Sequence, residues 1–203
     1  MHSIYREAQF LLSAEAWAHL PPDEGAEVAF VGRSNAGKSS ALNVLTRTGL
    51  ARTSKTPGRT RQINFFTLDA ERRLVDLPGY GYAKVPAPIR RRWQAFIEQY
   101  LTGRRCLRGL VVVMDARRPL TEQDVQLLEF AAHHGLGLHA LLTKADKLSR
   151  GAAAATLQRV RAALPPGTQA QLFSALRREG LETLTARLDA WLAFPPSEER
   201  QQD

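Results

Sequence analysis

The sequence predicts an α/β fold in which a mostly parallel sheet of about six strands carries helices on both faces. Three observations support this prediction. Short apolar, β-branched runs alternate with longer segments of helical periodicity. The run Leu110–Met114 is continuously apolar, which is typical of a strand buried on both sides. The polar loops with unusual composition follow predicted strands, which is where ligands bind in such sheets.

The predicted elements can be placed in order along the chain. Runs rich in Val, Leu, Ile and Phe, bounded by turn residues, predict strands at 27–31, 63–68, 73–77, 110–114, 138–142 and 169–173. Apolar residues at helical spacing predict helices at about 38–46, 88–102, 151–163 and 180–193, with one more between Thr121 and Gly135. In helix 88–102 the apolar face consists of Ile89, Trp93, Phe96, Ile97 and Tyr100. Thr121 can cap the following helix, with Asp124 at the capping-box position where Glu or Gln is usual.

The length of 203 residues is enough for one domain with a small appendage. We expect an N-terminal extension at 1–26 packed on the domain, with a weak helix around 13–19. The main domain is expected at 27–195 and a polar tail at 196–203. No apolar run is long enough to span a membrane, and the single cysteine, Cys106, fits a reducing cytoplasm. A monomer is expected.

The net charge of +8 favours a polyanionic partner such as RNA, because Lys and Arg displace the counterions of phosphates. Biased composition and an ordinary solvated surface are the alternatives. The candidate RNA-facing residues lie in a polar loop and around one predicted helix: Arg52, Lys55, Arg59, Arg61, Arg90, Arg91, Arg92, Arg104, Arg105 and Arg108.

The segment 32–39 reads G-x-x-x-x-G-K-S and lies between a predicted strand and a predicted helix. This order is the context that a phosphate-binding P-loop requires. The glycines permit the backbone to form an anion cradle, and the helix N-terminus adds a positive dipole. Lys38 would supply charge to the β- and γ-phosphates, and the Ser39 hydroxyl would bind Mg²⁺.

Four further segments are candidates for the same site. Asp76-Leu77-Pro78-Gly79 ends a strand as D-x-x-G, so Asp76 can reach Mg²⁺ through water and Gly79 can approach the γ-phosphate. Thr60 is the candidate for the remaining metal ligand. Thr143-Lys144-Ala145-Asp146 follows the predicted strand at 138–142. A carboxylate there can accept hydrogen bonds from the N1–H and the exocyclic amine of guanine. The Lys144 stem can lie along the base, and the backbone at Phe173-Ser174-Ala175 is a candidate for contact with the guanine O6.

Four blocks together resemble the EngB/YihA/YsxC family of bacterial GTPases: residues 32–40, 54–60, 76–83 and 143–148. The resemblance covers about residues 5–195. It implies a P-loop NTPase of the Ras-like G-domain type, Mg²⁺-dependent binding of GTP and GDP, and GTP hydrolysis. It also implies a cytoplasmic role in assembly of the large ribosomal subunit, with its RNA and proteins as partners, and in cell division and septation. The implied nucleotide contacts are Gly32, Arg33, Ser34, Asn35, Ala36, Gly37, Lys38, Ser39, Gly58, Arg59, Thr60, Arg61, Gln62, Asp76, Leu77, Pro78, Gly79, Thr143, Lys144, Ala145, Asp146, Phe173, Ser174 and Ala175.

Two residues depart from the commonest GTPase pattern. Thr143 stands where Asn is usual, and Tyr80 stands where many GTPases place a water-orienting Gln. We therefore assign no catalytic residue, although Lys38 and Thr60 are the best candidates for transition-state support. Slow intrinsic hydrolysis, stimulated by a partner, is expected. At Asn35 the resemblance suggests a K⁺ ion near the phosphates, and the alternative is that Asn35 only shapes the loop.

Two other functions are compatible with these motifs. The first is a GTP-dependent interaction or division factor whose hydrolysis is incidental. The second is a P-loop ATPase or small-molecule kinase, against which the segment 143–146 argues.

Overall fold

The computed structural model of the chain describes residues 3–47, 49, 62–80 and 87–193. The strands are Gln9–Ala14 (β1), Ala26–Gly32 (β2), Ile63–Thr67 (β3), Arg72–Asp76 (β4), Leu107–Asp115 (β5), Leu138–Thr143 (β6) and Gln169–Leu172 (β7). The helices are Lys38–Thr46 (α1), Ala87–Gly103 (α2), Glu122–His133 (α3), Arg150–Ala163 (α4) and Leu181–Trp191 (α5). Short 3₁₀ turns lie at Ser3–Glu7, Trp17–His19 and Ala145–Lys147. Within these described residues, no helix is sufficiently long and apolar to cross a membrane.

All strands belong to one sheet of order β1-β3-β4-β2-β5-β6-β7. β3 pairs antiparallel with both of its neighbours, and the pairs from β4 to β7 are parallel. The predicted mostly parallel α/β sheet is therefore confirmed, and all six predicted strands are present. Among the described residues the sheet has seven strands, where about six were predicted.

The additional strand is β1, in the segment expected to be an extension. It pairs antiparallel with β3, and a bulge lies between Phe10 and Leu12. The predicted weak helix around 13–19 is wrong, because residues 13 and 14 belong to β1 and only Trp17–His19 forms a helical turn. The apolar residues at 10–12, which no predicted element included, lie in β1 and complete the sheet edge.

Two hydrophobic cores lie on the two faces of the sheet. One contains Phe96, Leu128 and Val160, from α2, α3 and α4. The other contains Leu42 and Leu188, from α1 and α5. Helices therefore cover both faces, as predicted. In α2 the structure buries Phe96, Ile97 and Tyr100 of the predicted apolar face, while the side chains of Ile89 and Trp93 lie outside the described residues.

A buried ion network lies at the amino end of β2. Glu27 has no exposed surface, and its carboxylate accepts hydrogen bonds from Arg73 Nε (2.9 Å), Arg104 Nη2 (2.7 Å) and the Tyr100 hydroxyl (2.9 Å). Both guanidinium groups also donate to the Pro22 carbonyl, at 3.1 Å and 3.0 Å. Burial of Tyr100, together with the charge of Glu27, raises the pKa of this phenol. The network attaches the segment before β2 to the sheet and to the end of α2.

Because of this network, one residue of the predicted RNA-facing surface was assigned wrongly. Arg104 is only 5 % exposed and is bound to Glu27, so it is unavailable to an external phosphate. Arg105 and Arg108 are exposed, but they flank the amino end of β5, about 25 Å along the strand from its carboxyl end. Arg91 is exposed in α2. The structure does not describe the side chains of the remaining candidates.

A glycine slot holds Trp191 of α5 against the amino ends of β5 and β6. A Cβ atom on Gly109 would overlap the indole ring, and one on Gly137 would lie 2.9 Å from its Nε1. The guanidinium group of Arg187 stacks on the Trp191 ring, with its central carbon 4.6 Å from the ring centroid. Glycine at 109 is therefore required by packing.

We expect Gly109→Ala to lower the free energy of unfolding by about 1–3 kcal/mol, because the added methyl group displaces Trp191. Urea unfolding followed by the tryptophan fluorescence measures this change. Gly151→Ala is the matched control, because a Cβ at Gly151 meets nothing within 4 Å and the residue lies in α4. The control is expected to be neutral or more stable by up to about 1 kcal/mol. Equal stability of the two variants would contradict the proposed slot.

Candidate functional site

The loop between β2 and α1 adopts a compact shape that depends on left-handed residues. Asn35 has φ 64° and Gly37 has φ 102°, and Gly37 is the N-cap of α1. Backbone of this kind points successive N–H groups into one concavity that favours an anion. A Cβ at Gly37 would lie 3.1 Å from Thr143 Oγ1, so the close approach to β6 also favours glycine. The first turn of α1 carries Lys38 and Ser39, as predicted.

The loop after β4 lies directly against this cradle. Ser34 N donates to the Tyr80 carbonyl (3.1 Å), and Tyr80 N donates to the Gly32 carbonyl (3.3 Å). A Cβ at Gly79 would lie 3.1 Å from the Gly32 carbonyl oxygen and 3.3 Å from Ser34 N. The two glycine-containing segments predicted from sequence are thus brought together, and their glycines permit the contact.

Lys38 and Asp76 form an ion pair inside the site. The Lys38 ammonium donates to Asp76 Oδ1, and both side chains are largely buried, with 12 % and 9 % of their surface exposed. Asp76 ends β4, the parallel neighbour of β2, which leads into the loop with Lys38. This pairing places a cation at the carboxylate that the sequence assigned to Mg²⁺, so the position suits positive charge.

The side chain of Tyr80, which stands where many GTPases have a water-orienting Gln, is bound to another residue. Its hydroxyl donates to Asp124 Oδ1 at 2.6 Å. Burial and then the negative charge of Asp124 raise the pKa of the phenol, which stays protonated. The other oxygen of Asp124 accepts from Thr121 N (2.8 Å) in the predicted capping box of α3. The segment after Gly79 is consequently attached to the start of α3.

The last residue of β6, Thr143, and the residue that follows it, Lys144, hold the cradle from its other side. Thr143 Oγ1 is within hydrogen-bond distance of the Ala36 carbonyl, and it is 3.1 Å from the Met114 carbonyl. Lys144 has φ 58°, and its ammonium donates to the Asn35 carbonyl at 2.6 Å. The hydroxyl of Thr143 therefore makes a contact with the loop although it is shorter than the usual Asn side chain.

Asp146 is held at the end of the same segment. Its Oδ1 accepts a hydrogen bond from the Ser174 hydroxyl at 2.7 Å, and Ser174 Oγ in turn accepts from Arg177 N at 3.1 Å. This hydrogen bond, with the nearby charges of Lys147 and Arg177, keeps the pKa of Asp146 below its usual value despite some burial. Asp146 is thus ionised and oriented beside the loop after β7, where a base was predicted to bind.

The structure allows several predicted contacts to be refined. Leu77 and Phe173 have no exposed surface, so their side chains are not available to a ligand. Phe173 O accepts from Ala145 N at 3.2 Å, which links the two loops, and Ala175 is partly buried beyond it. Gln62 Nε2 donates to Glu15 at 2.6 Å, toward the N-terminal segment. Gly58, Arg59, Thr60 and Arg61 lie outside the described residues.

The available ligands suit Mg²⁺ with a bound nucleotide. The described residues contain no group of three or more His, Cys, Asp and Glu side chains that could hold a metal alone. Mg²⁺ characteristically takes one or two carboxylates or hydroxyls and completes its shell with water and substrate phosphates. Asp76 and Ser39, at the end of β4 and the start of α1, match that donor set.

Sequence reasoning missed one charged residue at this edge of the sheet. Asp115 ends β5, and its Oδ2 accepts from the Lys144 ammonium at 2.9 Å. It belongs to none of the motifs that pointed to the site. The available signal was a carboxylate directly after the buried run 110–114.

Sheets of this kind bind ligands at the carboxyl ends of their strands, which is the edge where the loop 32–39 and Asp146 lie. Residues 27–144 match a protein family described as "50S ribosome-binding GTPase". The chain is therefore a GTPase-class domain.

The comparison with individual proteins gives the narrower family. The chain is 55% identical over 196 residues to the "Probable GTP-binding protein EngB" of Coxiella burnetii (strain RSA 331 / Henzerling II), covering 95% of this chain and 96% of the relative. It is 55% identical over 198 residues to that of Nitrosococcus oceani, covering 96% and 99%. A solved "probable GTP-binding protein engB" has a TM-score of 0.69 with 22% identity, over 84% of this chain and 100% of the other. The chain belongs to the EngB family of GTP-binding proteins.

Proposed function

We propose that this protein is a Mg²⁺-dependent GTPase that acts in the cytoplasm as a switch during assembly of the large ribosomal subunit. The observation that carries the proposal is the convergence of two loops on the cradle at 32–39. Thr143 and Lys144 bind the carbonyls of Ala36 and Asn35 from one side, and the segment at Gly79 contacts Gly32 and Ser34 from the other. Asp146, fixed by Ser174, then gives the site its preference for guanine.

In this proposal the cradle at 32–39 holds the phosphates, and Lys38 neutralises part of their charge. Ser39, Asp76 through water, and Thr60 would hold Mg²⁺, which would supply electrostatic stabilisation of the phosphate oxygens. Because Lys38 pairs with Asp76 in the structure, nucleotide binding would exchange that partner for phosphate. A K⁺ ion beside Asn35 belongs to the same proposal, and faster turnover in K⁺ than in Na⁺ buffer is the result that it requires.

Slow intrinsic hydrolysis also belongs to the proposal. The Tyr80 hydroxyl is engaged by Asp124, so it offers no base for an attacking water. A partner that orders the loops around the γ-phosphate would then stimulate the reaction. The ribosomal partner is supported by the family description "50S ribosome-binding GTPase" and by the positive net charge of +8.

Co-sedimentation of the full chain with large-subunit particles tests the switch. We expect more protein in the particle fraction with a non-hydrolysable GTP analogue than with GDP. The GTP-dependent fraction should decrease as salt rises, because contacts to RNA phosphates release counterions. Equal binding in both nucleotide states, unaffected by salt, would contradict the proposal.

The alternative is a GTP-dependent interaction or division factor with incidental hydrolysis. The same experiment separates it, because such a factor would bind its partner in the GTP state without sedimenting with the particles. The fixed carboxylate of Asp146 argues against an ATPase or kinase, since adenine does not offer the donors that this group accepts.

A further inference from the structure

Asp115 connects the end of β5 to the cradle through Lys144. In the parallel register of β5 and β6, Asp115 lies beside Thr143, one residue before Lys144. Its Oδ2 accepts from the Lys144 ammonium at 2.9 Å, and the same ammonium donates to the Asn35 carbonyl at 2.6 Å. The long lysine side chain is thus fixed at its tip by two acceptors on different segments.

Arg117 holds the carboxylate from its other side. Arg117 N and Nε donate to Asp115 Oδ1 at 3.0 Å and 2.9 Å, and Nη2 donates to Oδ2 at 2.6 Å. Burial alone would raise the pKa of Asp115, but the hydrogen bonds from Arg117 and Lys144 outweigh it and hold the pKa well below its usual value. The Asp115 side chain is 19 % exposed, whereas Arg117 is 49 % exposed. The carboxylate is therefore ionised and sits between an outer arginine and an inner lysine.

The two contacts of Asp115 serve different structures. The contacts with Arg117 are local, because the backbone forms a turn in which Arg118 N donates to the Asp115 carbonyl at 2.9 Å. The contact with Lys144 is not local, because the same ammonium also binds the Asn35 carbonyl in the loop 32–39. A free lysine side chain loses rotamer freedom when it is ordered on a ligand, and fixing it beforehand reduces that cost.

We propose that Asp115 is a positioning residue for nucleotide binding, acting by holding Lys144 against the cradle at Asn35. This inference rests on the guanine-nucleotide site proposed above. Asp115 itself does not contact the nucleotide and acts only through Lys144. It keeps the Lys144 stem extended between β5 and the loop, so that the stem forms one wall of the base site before the nucleotide arrives.

Asp115→Asn separates the two contacts. The Asn side chain can still accept from Arg117 N and preserve the local turn, but it lacks the charge that holds the ammonium. With the full chain, Mg²⁺ and a fluorescent N-methylanthraniloyl GDP, we expect about tenfold weaker binding, mainly through faster dissociation. In steady-state hydrolysis KM for GTP should rise while kcat changes by less than about twofold. An unchanged dissociation rate, or a lower kcat at constant KM, would overturn the inference.

Four further variants distinguish a positioning role of Asp115 from an effect on the stability of the fold. Arg117→Ala removes the outer partner and should change affinity by less than about threefold. Asp115→Glu keeps the charge and should retain most of the affinity, so equal losses in the Asn and Glu variants would count against a charge effect. The double variant Asp115→Asn with Lys144→Met should bind as Lys144→Met does, because Asp115 acts through Lys144. Additive losses would overturn the inference, whereas a wild-type chain that does not bind the fluorescent GDP would refute the proposed function itself.

Discussion

Replacing Asp146 with Asn is expected to lower the affinity for GTP and GDP at least about a hundredfold and to move the preference toward xanthine nucleotides. The carboxylate accepts from the N1–H and the amine of guanine, whereas the amide of Asn offers a donor that suits the additional carbonyl of xanthine. The structure already orients this group through the Ser174 hydroxyl at 2.7 Å. Competition of GTP, ATP and XTP against a fluorescent GDP measures the change.

Glu179→Gln is the matched control for this substitution. Glu179 is an exposed acid in the neighbouring loop, 3.9 Å from Arg177 Nη1, and it has no contact with Asp146 in the described hydrogen bonds. We expect its guanine affinity to match that of the wild-type chain within about twofold, because an exposed ion pair contributes little. Unchanged guanine affinity in Asp146→Asn would refute the assignment of the base site, and preferential ATP binding by the wild-type chain would favour the ATPase alternative.

Replacing Glu27 with Ala is expected to lower the free energy of unfolding by about 3–5 kcal/mol. The substitution removes the carboxylate that accepts hydrogen bonds from Arg73 and Arg104 in this buried network, and it also deprives the Tyr100 hydroxyl of its acceptor. The carboxylate of Asp23 remains, but it lies 3.8 Å from Arg104 Nε. Two guanidinium charges would then remain largely buried, with 10 % of the Arg73 side chain and 2 % of the Arg104 side chain exposed. Urea unfolding at pH 7 should show an earlier midpoint with an unchanged slope.

Glu71→Ala provides the comparison for Glu27→Ala. Glu71 is an exposed acid in the turn between β3 and β4, and the backbone carbonyl that it contributes to Ala26 N is retained in the variant. Its stability should stay within about 0.5 kcal/mol of the wild-type chain. Similar stabilities for both variants would mean that Arg73 and Arg104 find water or other acceptors when Glu27 is lost.

The regular alternation of strands and helices was predictable because each element carries its own local pattern. The apolar run of β5 and the Thr121–Asp124 capping box identify their elements without knowledge of any distant residue, and the structure confirms both. β1 was missed because its sequence, Gln-Phe-Leu-Leu-Ser-Ala, has no clear alternation and its strand character depends on pairing with β3. A strand at a sheet edge is defined by its partner as much as by its own residues.

The candidate site shows the same division between local and distant information. Short motifs located the cradle, the D-x-x-G segment and Asp146, because each motif is continuous in sequence. The bond from Tyr80 to Asp124 joins residues 44 positions apart, and the bond from Arg104 to Glu27 joins residues 77 apart. An arginine that pairs with a distant buried glutamate cannot be distinguished by composition from one on the surface, so Arg104 was wrongly assigned to an RNA-facing surface.

The pairing of β1 with β3 has a practical consequence for any attempt to shorten the chain. A protein starting at Ala26 would begin one residue before the region matched by the GTPase family, but it would lack β1 and the carbonyl of Pro22 that Arg73 and Arg104 bind. The backbone of Asn64 and Phe66 would then lie on an open sheet edge, which promotes pairing between chains. We therefore expect that a chain shortened past β1 aggregates before it loses nucleotide binding.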